Sequence, residues 1–344
     1  MKNAPLISVV LPVYNVAPYI KEALDSVLNQ TIQDFEIIVI DDCSTDNTLE
    51  VIESIKDVRI RIIKKPENKG LIDSLNIGFS EAKGKYIARM DGDDLNTPDR
   101  FEKQLHILQN KSEITACGCW LQCFDASNKI IKHKQHHKEI QAQLLLSNSM
   151  SLGATMLKTN AYTRFKFDDT KAHAEDYDFW AKTAWDSNLY NIQETLYHYR
   201  THETQVSSLH NDFQKIQDVD IKLSLYHKIN YNKIEFSDVF IKKMLFSTSE
   251  ISVDECKLFF RWLNQLIQIN KKQKVFGYKE LSEVIDFLKR KLVFDLFFTN
   301  TREGIDYNKR KLILNSLPFK EKLFVVLKKV KERGSIIKKS KKSK

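Results

Sequence analysis

Strand-like and helix-like stretches alternate four times within about the first 110 residues, and that alternation narrows the possible folds more than any other feature. "ISVVLPVY" (7–14), "FEIIVIDD" (35–42), "VRIRIIKK" (58–65) and "GKYIARMD" (84–91) are short runs rich in β-branched residues, as buried strands are. Between them, "APYIKEALDSVLNQT" sets Ile20, Ala23, Leu24, Val27 and Leu28 at helical spacing. "TLEVIESI", "GLIDSLNIGFSEA" (70–82) and "TPDRFEKQLHILQN" (97–110) repeat the pattern. Thr45 or Asp46 can cap the second of these helices. Thr97 is placed to cap the fourth, with Pro98 at its first position and Asp99 in its first turn. The expected class is α/β, with a mostly parallel central sheet covered by helices on both faces. Ligands in such sheets bind at the carboxyl ends of the strands. Two strands end there in aspartates, "IVIDD" and "IARMD".

"ITACGCWLQCF" (114–124) extends the sheet, and after about residue 205 the pattern turns helical. The expected organisation is an α/β domain over 1–205. A helical region over 206–318 and a basic amphipathic tail over 319–344 follow. From Lys320 to Lys344, ten lysines and one arginine face two glutamates, which accounts for the whole net charge of +9. The body is therefore neutral and lacks the basic excess of a nucleic-acid binder. The apolar run near the N-terminus is broken by Pro12, so neither a signal peptide nor a membrane span is expected. Cys117, Cys119 and Cys123 lack paired zinc-ligand spacing and read as thiols on a buried strand of a reduced, cytoplasmic protein.

"ARMDGDDLNTPDR" (88–100) crowds Asp91, Asp93 and Asp94 around Gly92. Taken alone it is either a solvated turn or a hard-oxygen site for Mg²⁺ or Mn²⁺, completed by phosphate oxygens. Its neighbours add to the second reading. Asp41-Asp42 precede a small polar turn, "CSTD", that could accept a nucleoside, and Pro12 and Tyr14 put a ring where a base could stack. "EDYDFW" (175–180) sets Glu175, Asp176 and Asp178 among aromatic residues able to raise a carboxylate pKa toward that of a general base.

"ISVVLPVYN", "FEIIVIDDCSTDNT", "GKYIARMDGDD", "PDRFEKQ" and "HAEDYDFW", in this order and spacing, resemble the family 2 glycosyltransferases of the GT-A fold. The resemblance covers roughly residues 6–205 and implies a nucleotide-binding donor half to about 112 and an acceptor half over 113–205. It implies an inverting enzyme that takes a sugar from a nucleotide diphosphate, with UDP the expected nucleotide, and depends on Mn²⁺ or Mg²⁺. Carried over by motif, Asp93 is the direct metal ligand, and Asp91 assists at the metal or touches the ribose beside Gly92. Asp42 reads the base, with Pro12, Tyr14 and Asn15 along the pocket wall and Asn68 and Gly70 lining it. Asp176, next to Glu175, takes the proton from the acceptor hydroxyl. His202 in "YHYRTHET" matches a further metal or diphosphate ligand, and Arg89 and Arg200 match phosphate or acceptor contacts. "SMSLGATMLK" (149–158) falls where the family places part of its acceptor site, without the histidine many relatives carry.

The resulting expectation is a hexosyl- or N-acetylhexosaminyl-transferase acting on a glycan or lipid-linked acceptor in bacterial surface polysaccharide assembly. A nucleotidyltransferase is the enzymatic rival, but "LPVYNVAPYI" carries no Gly-rich basic phosphate loop. A catalytically inactive nucleotide-sugar-binding scaffold is the other alternative. The lysine-dense tail carries Leu323, Phe324, Val326, Leu327 and Val330, which suits peripheral attachment to an anionic inner membrane face. The C-terminal helices offer a surface for oligomerisation. "IKHKQHHKE" (131–139) has no carboxylate or thiol at a ligand interval and reads as a solvated connection.

Overall fold

The computed structural model describes residues 4–201, 211–247, 251–299, 307–317 and 319–328. They fall into two compact units, Met1–Ile221 and Lys222–Lys344. The first unit begins β1 (Ile7–Val13), α1 (Ile20–Leu28), β2 (Phe35–Asp41), α2 (Thr48–Ser54), β3 (Ile60–Lys64), α3 (Gly70–Glu81) and β4 (Tyr86–Arg89). It continues β5 (Leu95–Asn96), α4 (Arg100–Asn110), β6 (Ala116–Asp125), β7 (Ile130–Ile131) and α5 (His137–Gln143). A 3₁₀ turn (Leu152–Ala154), β8 (Met156–Lys158), α6 (Thr159–Tyr162), α7 (Glu175–Thr183) and β9 (Leu189–Thr201) complete the sheet layer.

The sheet runs β3-β2-β1-β4-β8-β6-β9-β5, with β7 on β6. Its first four strands are mutually parallel, as the alternation requires. Beyond them the sheet is mixed: β8 lies antiparallel to β4 and β6, and β6 runs parallel to β9. Pro12 is tolerated in the central β1 because β4 stops pairing at Val10 opposite Arg89, so the missing N–H interrupts no ladder bond there. All seven β1 residues are buried, as a strand covered on both faces must be.

Helix caps differ from expectation by a residue or two. α2 begins at Thr48 as expected, but Asn47 holds the cap position in place of Thr45 or Asp46 and makes no side-chain cap bond. Asp46 Oδ1 accepts the Thr48 N–H at 2.9 Å from just outside the helix. α4 begins at Arg100, while Thr97 closes the preceding turn by accepting the Arg100 N–H at its carbonyl and bonding Asp99 through its hydroxyl.

Arg100 is completely buried and knots this region together. It donates to the carbonyls of Arg89 (2.8 Å) and Thr155 (3.2 Å) and to the Asn96 side chain, with its guanidinium 5.0 Å from the Tyr197 ring centre. Cys117, Cys119 and Cys123 are buried free thiols of β6, and burial pushes Cys119 up to about 11, which removes it as a nucleophile.

The remaining helices are α8 (Asn211–Tyr226), α9 (Asp238–Phe246), α10 (Val253–Gln273), α11 (Tyr278–Phe294) and α12 (Tyr307–Ser316). Ser252 and Glu255 form a reciprocal capping box at the start of α10. Trp262 is fully buried against Tyr226, Phe259 and Tyr231 and centres the second unit. Among the described residues, no helix is long and apolar enough to cross a membrane.

Candidate active site

The carboxyl ends of β1 and β2 carry two loops stitched to each other. Asn15, held at φ +52°, accepts the N–H groups of Thr45 (2.8 Å) and Asp46 (3.3 Å) at Oδ1. Asp46 Oδ2 accepts the Ala17 N–H at 3.1 Å, and Thr48 Oγ1 accepts that of Val16 at 2.8 Å. Pro12 lies inside β1, whereas Tyr14 is 44% exposed at the mouth of this wall.

Asp42 is nearly buried and turned to its neighbours. It receives the Lys65 ammonium (2.5 Å) and the Lys69 N–H (2.9 Å) at Oδ1, and the Gly70 N–H (2.8 Å) at Oδ2. A carboxylate offers about four acceptor positions, so one remains on Oδ2 for a ligand. Asn68 Oδ1 takes the same Gly70 N–H at 3.1 Å. Gly70 sits at φ +85°, a conformation that only glycine adopts without strain. Lys65 also pairs with Asp73 at 2.7 Å.

The four residues Asp91–Asp94 divide by environment. Asp94 is fully buried: its Oδ1 accepts the Arg200 N–H at 2.7 Å, and its Oδ2 has no hydrogen-bond partner. Burial, with Asp91 and Asp93 adding repulsion, pushes its carboxyl well above the usual range. Gly92 is buried between them, while Asp91 and Asp93 stay partly exposed.

Arg200 holds this loop from behind. Its Nε donates to the Asp93 carbonyl, its Nη1 to Asp125 and its Nη2 to Glu22, each at 2.7 Å. The guanidinium lies 4.7 Å from the Tyr19 ring centre and 4.4 Å from that of Phe124. The buried Arg89 pairs with Asp91 Oδ2, and the Asp91 N–H donates to the Tyr197 hydroxyl at 3.1 Å. Gly153, in the 3₁₀ turn, closes the floor. A Cβ there would come within 2.7 Å of both Arg89 Nη1 and Asp91 Oδ2.

The opposite wall is the start of α7. Asp176 Oδ2 accepts Asn148 Nδ2 at 2.7 Å, and its Oδ1 accepts the Tyr177 N–H at 2.6 Å. Asn148 Oδ1 in turn takes the Met150 N–H at 3.2 Å, which fixes the amide with its NH₂ toward the carboxylate. Burial raises both acids of this helix start. Asp176 reaches about 6 against the pull of the Tyr177 N–H and the Arg89 charge. Glu175 reaches about 7, with Asp176 as its second cause. Arg89 acts on Glu175, Asp176 and Asp91 alike, so the acid loop and the α7 start share one electrostatic neighbourhood. Asp178 instead pairs with Lys182 at 2.6 Å, one helical turn on.

The structure thus gathers Arg89, Asp91, Glu175 and Asp176, and puts Tyr14, Asn15, Asp42, Asn68 and Gly70 on the adjoining loops. His202 lies outside the described residues. Among those described, no three or more His, Cys, Asp or Glu side chains form a metal cage. Asp91 and Asp93 supply two carboxylates, too few for a closed protein cage and a donor set that fits an open hard-cation site completed by other oxygen ligands. His198 packs edge-on against Phe124.

Asn148, Gly153 and Tyr197 escaped the sequence reading. Only Gly153 left a signal, in the "SLGAT" segment assigned to the acceptor side. "IKHKQHHKE" is also more than a solvated connection. His133 bonds Ser151 through Nε2 at 3.0 Å and burial lowers it to about 4, and His136 lies edge-on to Tyr190. Strand β7 at one end and an antiparallel backbone bridge between His136 and Tyr190 at the other draw this stretch onto the sheet, so its alternating residues are part-buried.

The sequence profile of Glycosyl transferase family 2 matches residues 8–181. An uncharacterised glycosyltransferase of Haemophilus influenzae is 33% identical over 80% of this chain and 96% of its own length. The chondroitin synthase of Pasteurella multocida is 28% identical over 90% of this chain, which spans 32% of that larger protein. Among solved structures, Staphylococcus aureus TarS 1–349 in complex with UDP-GlcNAc superposes with a TM-score of 0.58 at 17% identity, covering 88% of this chain and 93% of that one. The mannosyltransferase PcManGT of Pyrobaculum calidifontis, in complex with GDP-Man and Mn²⁺, superposes with a TM-score of 0.51 at 14% identity, covering 92% and 86%.

Proposed function

Because this chain belongs to glycosyl transferase family 2 and is a glycosyltransferase of the GT-A type, we propose that it moves a sugar from a nucleotide diphosphate to a glycan or lipid-linked acceptor with inversion at the anomeric carbon. Bacterial surface polysaccharide assembly is the setting, and a UDP-sugar is the favoured donor. Tyr14, Asn15, Asp42, Asn68 and Gly70 bind the nucleoside at the stitched loops. Asp176 takes the acceptor proton as the hydroxyl attacks the anomeric carbon and the bond to the diphosphate breaks on the opposite face. Burial holds Asp176 near the working range, and Asp176 in turn helps burial raise Glu175 beside it.

Asp93, with help from Asp91 and His202, would hold Mn²⁺ or Mg²⁺, and the bound ion would supply charge neutralisation for a departing diphosphate. Arg89 keeps the Asp91 carboxylate in place, and Arg200 holds the loop through the Asp93 carbonyl.

The observation that carries this reading is the Asp176 carboxylate. It is raised to about 6 and still ionised at neutral pH, oriented by Asn148 and the Tyr177 N–H, and shares Arg89 with Asp91. A base of that strength suits proton removal near pH 7. The test is donor hydrolysis or transfer by the purified protein with Mn²⁺ across uridine, guanosine and thymidine diphosphate sugars. Asp93→Ala and Asp176→Asn should each abolish turnover without unfolding the chain. If no donor is bound in a metal-dependent way, the reading fails.

Peripheral membrane attachment is part of the same proposal. Residues 319–328 are helical, and Phe319, Leu323 and Leu327, spaced by four, are 80%, 46% and 55% exposed along one face. The lysines from 329 onward lie outside the described residues.

A further inference from the structure

A polar cleft of about 690 Å³ opens on the first unit beside β6 and β9, and the reaction as described makes no use of it. The volume lies in the range of small-ligand sites. Its lining includes Trp120, Lys132, Lys134, Gln135, Gln193 and Asn148. Asn148 is the residue that holds Asp176 through the 2.7 Å bond, so the support of the base is part of the cleft's own wall.

The charge of this cleft is one-sided. Residues 126–138 contain four lysines and no carboxylate. The lining carboxylate, Glu139, already accepts the His136 N–H at 3.1 Å. Lys132 and Lys134 are exposed, and the Lys132 ammonium stands 4.6 Å from the Trp120 ring centre. The ring is fixed from below, since Trp120 Nε1 donates to the His133 carbonyl at 3.1 Å. An aromatic ring, several amide and hydroxyl groups and two exposed cations suit a polyhydroxylated chain that carries negative charge. They are a poor match for an apolar or cationic ligand.

We propose that this cleft is the acceptor groove and takes an anionic oligosaccharide, with its charged groups against Lys132 and Lys134 and its reacting end at Asn148. The assignment rests on reading Asp176 as the base. Carboxylate-bearing and phosphate-bearing glycans share the chemistry, so both serve as probes: a uronate-containing hexasaccharide and a glycerol-phosphate oligomer, with chitohexaose as the neutral control.

Binding of each probe is measured on the full chain without donor, beside the double variant Lys132→Glu/Lys134→Glu. At least one anionic probe should bind tenfold or more tighter than chitohexaose, and the double variant should lose at least tenfold for that probe. Both substituted positions are exposed, so the fold and the metal-dependent hydrolysis of donor alone should stay within twofold of the parent. The cleft assignment is overturned if chitohexaose binds as tightly as both anionic probes, or if the double variant binds them unchanged. Failure of donor hydrolysis in the parent protein would overturn the glycosyl-transfer reading alone, because affinity in the cleft is read with no donor present.

Discussion

Asn148 donates its amide N–H to Asp176 Oδ2 at 2.7 Å from a segment twenty-eight residues upstream, while its own carbonyl oxygen is pinned by the Met150 N–H. That bond favours the ionised carboxylate and fixes its direction. Asn148→Ala should therefore raise the Asp176 pKa and move the acid limb of the kcat/KM profile upward by about a pH unit, given about 1.5–3 kcal/mol for a hydrogen bond to a charged group. Asn148→Asp should be worse than alanine, because it sets a like charge against the base. A pH profile that does not move for either variant would mean Asn148 is merely a packing residue.

Asp176 and Glu175 predict a coupling between activity and stability. Both folded pKa values are raised, to about 6 and about 7, from ordinary values of 3.8 and 4.5. In that window the folded state holds protons that the unfolded state has released, so stability falls as pH rises from about 4 toward 7. Asp176→Asn removes the buried charge and should raise Tm at pH 7.5 while abolishing transfer. At pH 4 the Tm difference should shrink. Equal Tm shifts at both pH values would refute the linkage.

Arg200 is predicted to act on the metal loop without touching the reacting atoms. Its four bonds, to Asp93, Asp94, Asp125 and Glu22, come from three distant segments. Arg200→Gln removes the side-chain bonds to the Asp93 carbonyl, Asp125 and Glu22 but keeps the backbone bond to Asp94, and should cost about 1–2 kcal/mol in unfolding free energy. Arg200→Lys keeps the charge but loses the fork. In the lysine variant Mn²⁺ titration should show a weaker metal requirement constant, at least tenfold, with nucleotide affinity measured by calorimetry falling in step.

Gly153→Ala places a methyl group within 2.7 Å of Arg89 Nη1 and Asp91 Oδ2 and 3.0 Å of the Tyr197 hydroxyl. The arginine must move, and the Asp91 pairing moves with it. Turnover should drop by at least a hundredfold, while thermal unfolding shifts by only a few degrees, the range expected for about 1–3 kcal/mol of local overpacking.

The apolar stripe of Phe319, Leu323 and Leu327 predicts binding to vesicles with anionic headgroups. Phe319→Ser/Leu323→Ser should leave donor hydrolysis unchanged and release the protein from such vesicles in a flotation assay. Retention of the double variant on the vesicles would assign attachment to the lysines alone.

What the sequence made legible was the local part of this architecture. Strands β1 to β4 are short apolar runs whose neighbours in the sheet follow the alternation, and their aspartate-rich ends mark the ligand side. The three-residue β8 was not legible, because its "MLK" has no period to read and exists as a strand only through pairing with β4 and β6. Tyr197 meets Asp91, and Arg200 meets Asp94, across more than a hundred residues, so no spacing rule could join them. Asp42 was legible as a candidate at a strand end, but its Lys65, Lys69 and Gly70 partners were not, since a carboxylate's company is decided by the packing of α3. Asp91, Asp93 and Asp94 differ only in burial, which a run of like residues conceals.

The stitching of Asn15 to Thr45 and Asp46, with Thr48 and Asp46 returning bonds to Val16 and Ala17, has a thermodynamic consequence. Two loops that would otherwise have to be frozen separately by an incoming ligand are already one rigid body. Ordering a residue's backbone costs about 1–2 kcal/mol, so a ligand entering here would keep more of its contact energy as affinity. Severing the stitch with Asn15→Ala should accordingly show in calorimetry as a larger entropic loss on donor binding, with the enthalpy almost preserved.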